Sequence, residues 1–390
     1  RALMRVAFVV QRYGQEVAGG AEALCRDTAR QLAARGHRVE VFTTTARDYL
    51  TWAPHYAPGG ATEDGVQVWR FHVTPPDPAA AARLVRLLAL DPGDAATEAA
   101  WACAQGPVSP GLLSALETAA AEFDAVALWT YLYATTQMAM PLVASRSILV
   151  PLAHDEPMLR FALTRGLMRS AAGFAFMTPE EALLVDDLHG VGGRPARMVA
   201  TGRAPVDPGD AAAARARFDL PPRFALYVGR VDPAKGLDEL IRVHAAYRAA
   251  GGELGLVLAG RPSADFPIPD WVVRTGFITD RERADLITAC EVMVLPSRHE
   301  SLSLVALEAW EQGRPTLMTA FSEVLAGQTR RSGGGLTYTD AGSYREGLSR
   351  LAGDPGLRHR LGESGRAFTA PQTWDACAGR WEELVRAVAP

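Results

Sequence analysis

Short, continuous apolar runs alternate with helix-patterned stretches along this chain, and the alternation occurs twice. The runs at 6–10, 39–44, 66–73, 125–131, 147–154 and 173–178 are rich in β-branched and aromatic residues. Most are too uninterrupted for a sheet wetted on one side. Helical patterns separate them, the clearest from Gly20 to Arg35, stopped by Gly36-His37. Such an alternation predicts a parallel sheet with helices on both faces. It breaks at 204–222, where Pro205, Pro208 and Pro221-Pro222 flank an alanine- and arginine-rich helix. It then restarts, with strands predicted at 224–230, 254–260, 271–277, 291–297 and 315–320 and helices at 237–250, 280–290 and 303–312. A length of 390 residues exceeds one ordinary core. The expected fold class is therefore α/β, with two Rossmann-like domains facing a central cleft: 1–203 and 223–370, joined by a linker at 204–222.

Composition excludes several function classes. With 48% hydrophobic and 22% charged residues the chain is neither disordered nor fibrous, and no apolar stretch is long enough to span a bilayer. Both halves are mildly acidic within a net charge of −4, which argues against a nucleic-acid partner. The N-terminus, Arg1-Ala2-Leu3-Met4, runs straight into a predicted strand and leaves no room for a signal peptide. Cys25, Cys103, Cys290 and Cys377 are too scattered for a zinc knuckle or a disulfide framework, so a cytoplasmic location is expected.

Of 40 basic residues only Lys235 is a lysine. It lies in Gly229-Arg230-Val231-Asp232-Pro233-Ala234-Lys235-Gly236, at the end of the second half's first predicted strand. Glycine there allows close backbone approach, and Arg230 with Lys235 supplies two positive charges that could neutralise a diphosphate; a solvated turn with two surface cations is the other reading. The segment Glu300-Ser301-Leu302-Ser303-Leu304-Val305-Ala306-Leu307-Glu308 follows a strand and opens a helix capped by Ser301 or Ser303. Its helix N-terminus suits an anion; Glu308 could accept from ribose hydroxyls and Glu300 could reach a sugar. A surface helix with a glutamate near each end would look the same. Gly14 and Gly19-Gly20 have the position of a phosphate loop without the G-x-G-x-x-G spacing. His154-Asp155-Glu156 ends another predicted strand, where His154 could meet a sugar hydroxyl or cap the next helix.

Together these features resemble the retaining glycosyltransferases of the GT-B fold, in particular glycosyltransferase family 4. The resemblance spans nearly the whole chain: Gly19-Gly20-Ala21-Glu22, Gly36-His37-Arg38-Val39, Gly229-Arg230 with Lys235-Gly236, Pro296-Ser297, the Glu300/Glu308 pair, Gly313-Arg314-Pro315, Gly334-Gly335-Leu336, Asp354-Pro355 and Leu361-Gly362. It implies a nucleotide diphosphate sugar (UDP- or GDP-linked) as donor and a hydroxyl acceptor on a glycan, natural product or lipid. It also implies front-face attack with retention and no dedicated base. The absence of a D-x-D triplet agrees with a metal-independent reaction that needs no cofactor. In the implied roles, Arg230 and Lys235 hold the diphosphate, Glu308 the ribose and Glu300 the sugar. His154 lies near the sugar, Gly19, Gly20 and Gly229 admit the phosphates, and backbone groups near Gly276-Phe277-Ile278 read the base. Ser301, Leu302, Ser303 and Leu304 complete the donor side, and residues 371–390 form a terminal helix returning to the first domain.

Two departures stand out. The family often has Glu-Gly-Phe-Gly where this chain has Glu300-Ser301-Leu302-Ser303, so Ser303 is expected to narrow the sugar site or add a hydrogen bond. An asparagine common before the linker is replaced by Thr201-Gly202-Arg203. On the acceptor side, Trp129 is expected in the core, while Tyr131 and Tyr133 could pack there or offer a stacking surface. Arg83-Leu84-Val85-Arg86-Leu87-Leu88 is the best candidate for peripheral membrane contact, with Arg160, Arg165 and Arg169 a second cluster. Rival readings are a non-catalytic nucleotide-sugar-binding subunit and a GT-B sugar-nucleotide epimerase. Neither base, sugar, acceptor nor oligomeric state is fixed by the sequence.

Overall fold

In the computed structural model, residues 3–17, 19–91, 93–203, 208–262 and 266–390 are described. The expectations for Arg1, Ala2, Pro92 and Pro205 lie outside them. The chain forms two compact units, residues 1–202 with 374–390, and residues 203–373.

In the first unit the elements run β1 (Arg5–Val9), α1 (Gly20–Ala34), β2 (Arg38–Thr44), β3 (Gly59–Glu63), β4 (Val66–Phe71), α2 (Pro78–Leu90), α3 (Ala95–Gln105) and α4 (Pro110–Ala119). They continue β5 (Ala125–Trp129), α5 (Ala134–Val143), β6 (Ser147–Val150), α6 (Ala162–Ser170), β7 (Gly173–Phe176), α7 (Pro179–His189) and β8 (Ala196–Met198). Among the described residues the sheet order is β3-β4-β2-β1-β5-β6-β7-β8, parallel except for the β3–β4 hairpin. Ala7, Val9, Val126, Leu128, Leu149 and Phe174 turn one face toward Leu112, Leu116, Met140 and Met168 of the covering helices. That continuous burial is why these strands read as unbroken apolar runs.

The second unit contains α8 (Ala211–Arg217), β9 (Phe224–Val228), α9 (Leu237–Ala249), β10 (Gly255–Ala259), β11 (Val273–Gly276), α10 (Asp280–Ala289), β12 (Val292–Leu295), α11 (Leu304–Glu311) and β13 (Thr316–Thr319). It closes with α12 (Glu323–Ser332), β14 (Gly335–Tyr338), α13 (Ala341–Gly353) and α14 (Pro355–Thr369). Its sheet is wholly parallel in the order β11-β10-β9-β12-β13-β14. Along β9, Ala225 and Tyr227 join a core with α9 and α13, whereas Phe224, Leu226 and Val228 join another with α8 and α10. Adjacent residues thus serve opposite helix layers.

The structure shortens and moves several expected elements. The run at 125–131 stops being a strand at Trp129 because Thr130 takes a positive φ of 62°, and the run at 147–154 stops at Val150 because Pro151 follows and Leu152 has φ 51°. His154 therefore sits in a loop beyond the strand. The expected linker is also corrected from residue 208 onward. Ala214 of α8 is buried against α10, Asp210 donates its backbone N–H to Asp285 at 2.7 Å, and a side chain at Gly209 would strike the Ala284 carbonyl. The membrane candidate lies on α2, where Leu84, Val85 and Leu88 turn onto Trp101 and Phe161, leaving Leu87 and Leu90 exposed. No helix among the described residues is long and apolar enough to cross a membrane.

The last helix, α15 (Trp374–Val388), belongs to the first unit. Trp381 packs between Phe8 and Trp129, with ring centroids 5.7 and 6.0 Å away. Beside it Glu382 accepts from Arg35 Nε at 2.7 Å and lies 3.1 Å from His37 Nε2. Burial alone would raise the Glu382 pKa, but hydrogen bonds from Arg35 and His37 outweigh it and hold the group below the usual carboxylate range. Replacing Glu382 by alanine leaves a buried arginine and histidine facing a void, so Glu382→Ala should cost about 3 kcal/mol in urea unfolding. The stability it adds should be complete above pH ~4.5 and disappear as pH falls through its lowered pKa.

Candidate functional site

In the second unit, β9 lies between β10 and β12, so the strand order reverses direction at the β9/β12 boundary. Open α/β sheets bind ligands beyond the carboxyl ends of strands at such a point. The segments after these two strands carry the sequence-derived donor residues. After β9, Gly229 has φ 149° and its carbonyl lies where a Cβ on Gly260 would sit, so the two strand ends touch through their backbones. Tyr227 donates its hydroxyl to the Arg230 carbonyl at 2.8 Å, and Arg230 Nε pairs with Asp232 at 2.5 Å. A turn at Pro233–Lys235 ends in Gly236 at φ 73°, where a side chain would meet the Pro296 carbonyl beyond β12.

That approach brings Lys235 Nζ to 3.0 Å from Glu300 Oε1, across a separation of 65 residues. Both side chains are partly exposed, at 31 and 20%. The two cations expected to stand ready for a diphosphate are thus each partnered by a carboxylate. Tyr227 has its pKa raised by burial and then by the nearby Glu300 charge, so it stays a neutral donor.

Beyond Glu300, Ser303 caps α11: its hydroxyl accepts from Ala306 N–H, and its own N–H donates to Gln328 Oε1 at 3.0 Å. The serine's expected extra hydrogen bond is therefore spent on the helix end. Leu302 packs on the Trp310 cluster and Leu304 opens the helix. Ser301, between Glu300 and Leu302, is half-buried. Glu308 lies a turn further, with Oε2 at 2.8 Å from Arg283 Nε and Oε1 at 3.8 Å from Arg203. Burial raises its pKa, while Arg283 and Arg203 pull it down. Glu308 Oε2 is buried and accepts no aligned hydrogen bond despite its short distance to Arg283. Phe277 is exposed under the Arg261 guanidinium, 4.7 Å from the ring centroid, while Ile278 is buried in the core.

In the first unit β1 occupies the corresponding reversal, between β2 and β5. Gly19 caps α1 with no side-chain acceptor, and a side chain there would collide with Glu22. Glu22 is buried and fixed by Gln11 at 2.8 Å and Arg12 at 2.5 Å, whereas Gly20 faces open space. His154 Nδ1 lies 3.5 Å from Glu156, which also accepts the Tyr131 hydroxyl. Tyr131 is only 2% exposed and belongs to the core, so its ring offers no stacking surface. Trp129 is likewise fully buried. Tyr133 precedes α5 and packs edge-on against Trp52, with centroids 5.5 Å apart.

Residues 210–368 match the family model for glycosyl transferases group 1. The D-inositol 3-phosphate glycosyltransferase of Stackebrandtia nassauensis is 28% identical over all of this chain and 94% of its own length. The matched segment, which lies within the second unit, is a group 1 glycosyl transferase domain. The fold of the chain is GT-B. The sucrose-phosphate synthase of Thermosynechococcus elongatus superposes with a TM-score of 0.73 at 21% identity, covering 98% of both chains. Anabaena HepE, solved with UDP and glucose, superposes at 0.66 and 17% identity over 97% of this chain and 98% of its own.

Sequence reasoning overlooked residues that act through others in this glycosyltransferase. Arg261 follows Gly260 as Arg230 follows Gly229, and that repeated Gly-Arg pair at adjacent strand ends was a usable signal. Glu181 had none. It is fully buried on α7, and its carboxylate takes the N–H groups of Ala153 at 2.7 Å and Met177 at 2.6 Å. It thereby fixes the turn that carries His154. Glu181→Ala should strip acceptors from both buried N–H groups and destabilise the protein by about 3 kcal/mol, whereas Glu181→Gln should cost less. Urea unfolding of the two variants measures the difference.

Proposed function

We propose that this glycosyltransferase moves a sugar from a nucleotide diphosphate sugar to an acceptor hydroxyl, with retention at the anomeric carbon and without a metal. The observation that carries this reading is the Lys235–Glu300 pair at 3.0 Å, set at the sheet reversal beside the capped start of α11. Charge builds on the diphosphate as the glycosidic bond breaks. Lys235 and Arg230 would exchange their carboxylate partners for that developing charge, which stabilises the transition state more than the ground state. Glu300, released from Lys235, would accept hydroxyls of the donor sugar. Glu308 would accept from the ribose, which supplies the aligned hydrogen bond its buried Oε2 lacks. Backbone groups around Phe277 and Ile278 would take the base. The leaving phosphate oxygen would accept the acceptor proton, so the protein positions the reactants and supplies no base.

Acceptor recognition is assigned to the first unit, with Tyr133 the side chain offered there and Tyr131 acting only through Glu156, while His154 keeps its role beside the sugar. UDP is the first nucleotide to test, because Anabaena HepE was solved with it.

Titration with uridine, guanosine, adenosine and thymidine diphosphates should give one micromolar binder whose affinity is the same with magnesium or with a chelator. A requirement for magnesium would overturn metal independence. With the matching sugar nucleotide, Lys235→Ala should lower turnover by about a hundredfold or more while the melting temperature stays nearly unchanged. An active Lys235→Ala enzyme would remove the diphosphate assignment, and an inverted anomeric signal in the product NMR spectrum would remove retention.

A further inference from the structure

Arg203 ends the Thr201-Gly202-Arg203 segment that precedes the expected linker, and no role was assigned to it from the sequence. It is the first residue of the second unit, and its backbone N–H donates to the Gln372 carbonyl at 2.7 Å. Its guanidinium forms a two-bond fork with Glu311, both bonds 2.6 Å, and reaches to 3.8 Å from Glu308. The side chains of Arg203, Glu308 and Glu311 are all more than four-fifths buried. The geometry points to Arg203 as a positioning residue for donor binding, which keeps Glu308 ionised so that it can accept the ribose hydroxyls. This inference rests on the ribose role proposed above for Glu308.

An ionised carboxylate accepts from the two ribose hydroxyls with both of its oxygens; once protonated, one of those oxygens must place its own O–H. Burial pushes Glu308 toward the protonated form, and Glu311 one turn along the helix pushes in the same direction. Two cations oppose this. Arg283 on α10 approaches Oε2, but Asp280 shares it at 2.9 Å. Arg203 approaches Oε1 and neutralises Glu311 with its fork. Other charges on the packed elements have partners of their own: on α10 Arg281 pairs with Asp285 and Glu282 with Arg217, Arg314 donates to the Thr288 carbonyl, and Arg366 of α14 pairs with Glu363 and donates to the Glu311 carbonyl. Arg203 therefore acts twice on Glu308, by its own charge and by cancelling that of Glu311.

Two substitutions have opposite consequences. Arg203→Gln removes a cation and exposes Glu308 to an uncancelled Glu311, so the pKa of Glu308 rises. Glu311→Gln removes the repelling anion while Arg203 keeps its charge beside Glu308, so that pKa falls. Both break the same fork. Purely structural damage would move the two variants together.

The test is calorimetric titration of the full-length protein with uridine diphosphate, and with guanosine diphosphate in parallel, from pH 5.5 to 9. The ratio of variant to unaltered Kd at each pH cancels the nucleotide's own ionisation. For Arg203→Gln the ratio should reach about tenfold at low pH and return to within about twofold by pH 9, one pKa unit corresponding to a factor of ten. Arg203→Lys should restore most of the affinity, and Glu311→Gln should bind as well as the unaltered protein or better at pH 5.5. A pH-independent loss in Arg203→Gln, or weakened binding at low pH in Glu311→Gln, would overturn the positioning role. Glu308→Ala separates the two levels. If it binds either nucleotide as tightly as the unaltered protein, the ribose assignment itself fails.

Discussion

A parallel sheet buried on both faces is the constraint from which the rest of this molecule follows. Each strand must return to the same end of the sheet through a crossover, so every strand finishes at one edge. The segments after β9 and β12 are neighbours in the sheet although Lys235 and Glu300 are 65 residues apart in the chain. Covering both faces also sets the composition of the strands: Tyr227 and Leu226 are consecutive, yet they pack into different cores. Side chains facing helices make β5 and β12 wholly apolar. The chemistry accumulates where the strands stop.

At those ends the cations are held in pairs with carboxylates: Arg230 with Asp232, Lys235 with Glu300, Arg203 with Glu311, and Arg283 with Glu308. An isolated cation in a half-buried site would pay a desolvation penalty without return, and pairing offsets it. In the proposed function, an arriving diphosphate would exchange one partner for another. It would enter a site whose charges are already oriented and need little reorganisation.

How far the sequence carried the argument depends on what kind of information each feature needs. Strand and helix positions came from local patterning, and the βα order follows from it directly. Strand ends did not: nothing in Trp129-Thr130-Tyr131 marks the break that a positive φ at Thr130 makes, and at Pro151-Leu152 the proline was the one usable signal. The strand β3 escaped because Gly59–Glu63 has no apolar alternation, although Asp64-Gly65, both at positive φ, is the turn chemistry of a tight hairpin. Candidate donor residues were found because they sit in short motifs. Their partners were not, since Arg203 meets Glu311 across 108 residues and no motif encodes that pairing. Tyr131, left open between the core and a stacking surface, lies in the core because the turn at Thr130 folds its ring inward.

The chain passes between its two units twice, at 202/203 and at 373/374, and the passages lie side by side. Arg203 pairs with Thr373 in a parallel bridge, and Gly202 lies so close to Trp374 that a single methyl group on it would collide with the Trp374 backbone. The second unit is therefore topologically an insertion into the first, entering and leaving through one doorway. A unit joined in this way is one uninterrupted segment of the chain, from Arg203 to Thr373. The host keeps its own closing helix, α15, because that helix is sewn to α1 through Glu382 and to β1 through Trp381. Excision of residues 203–373 would leave the first unit's framework with its two cut ends, Gly202 and Trp374, already adjacent.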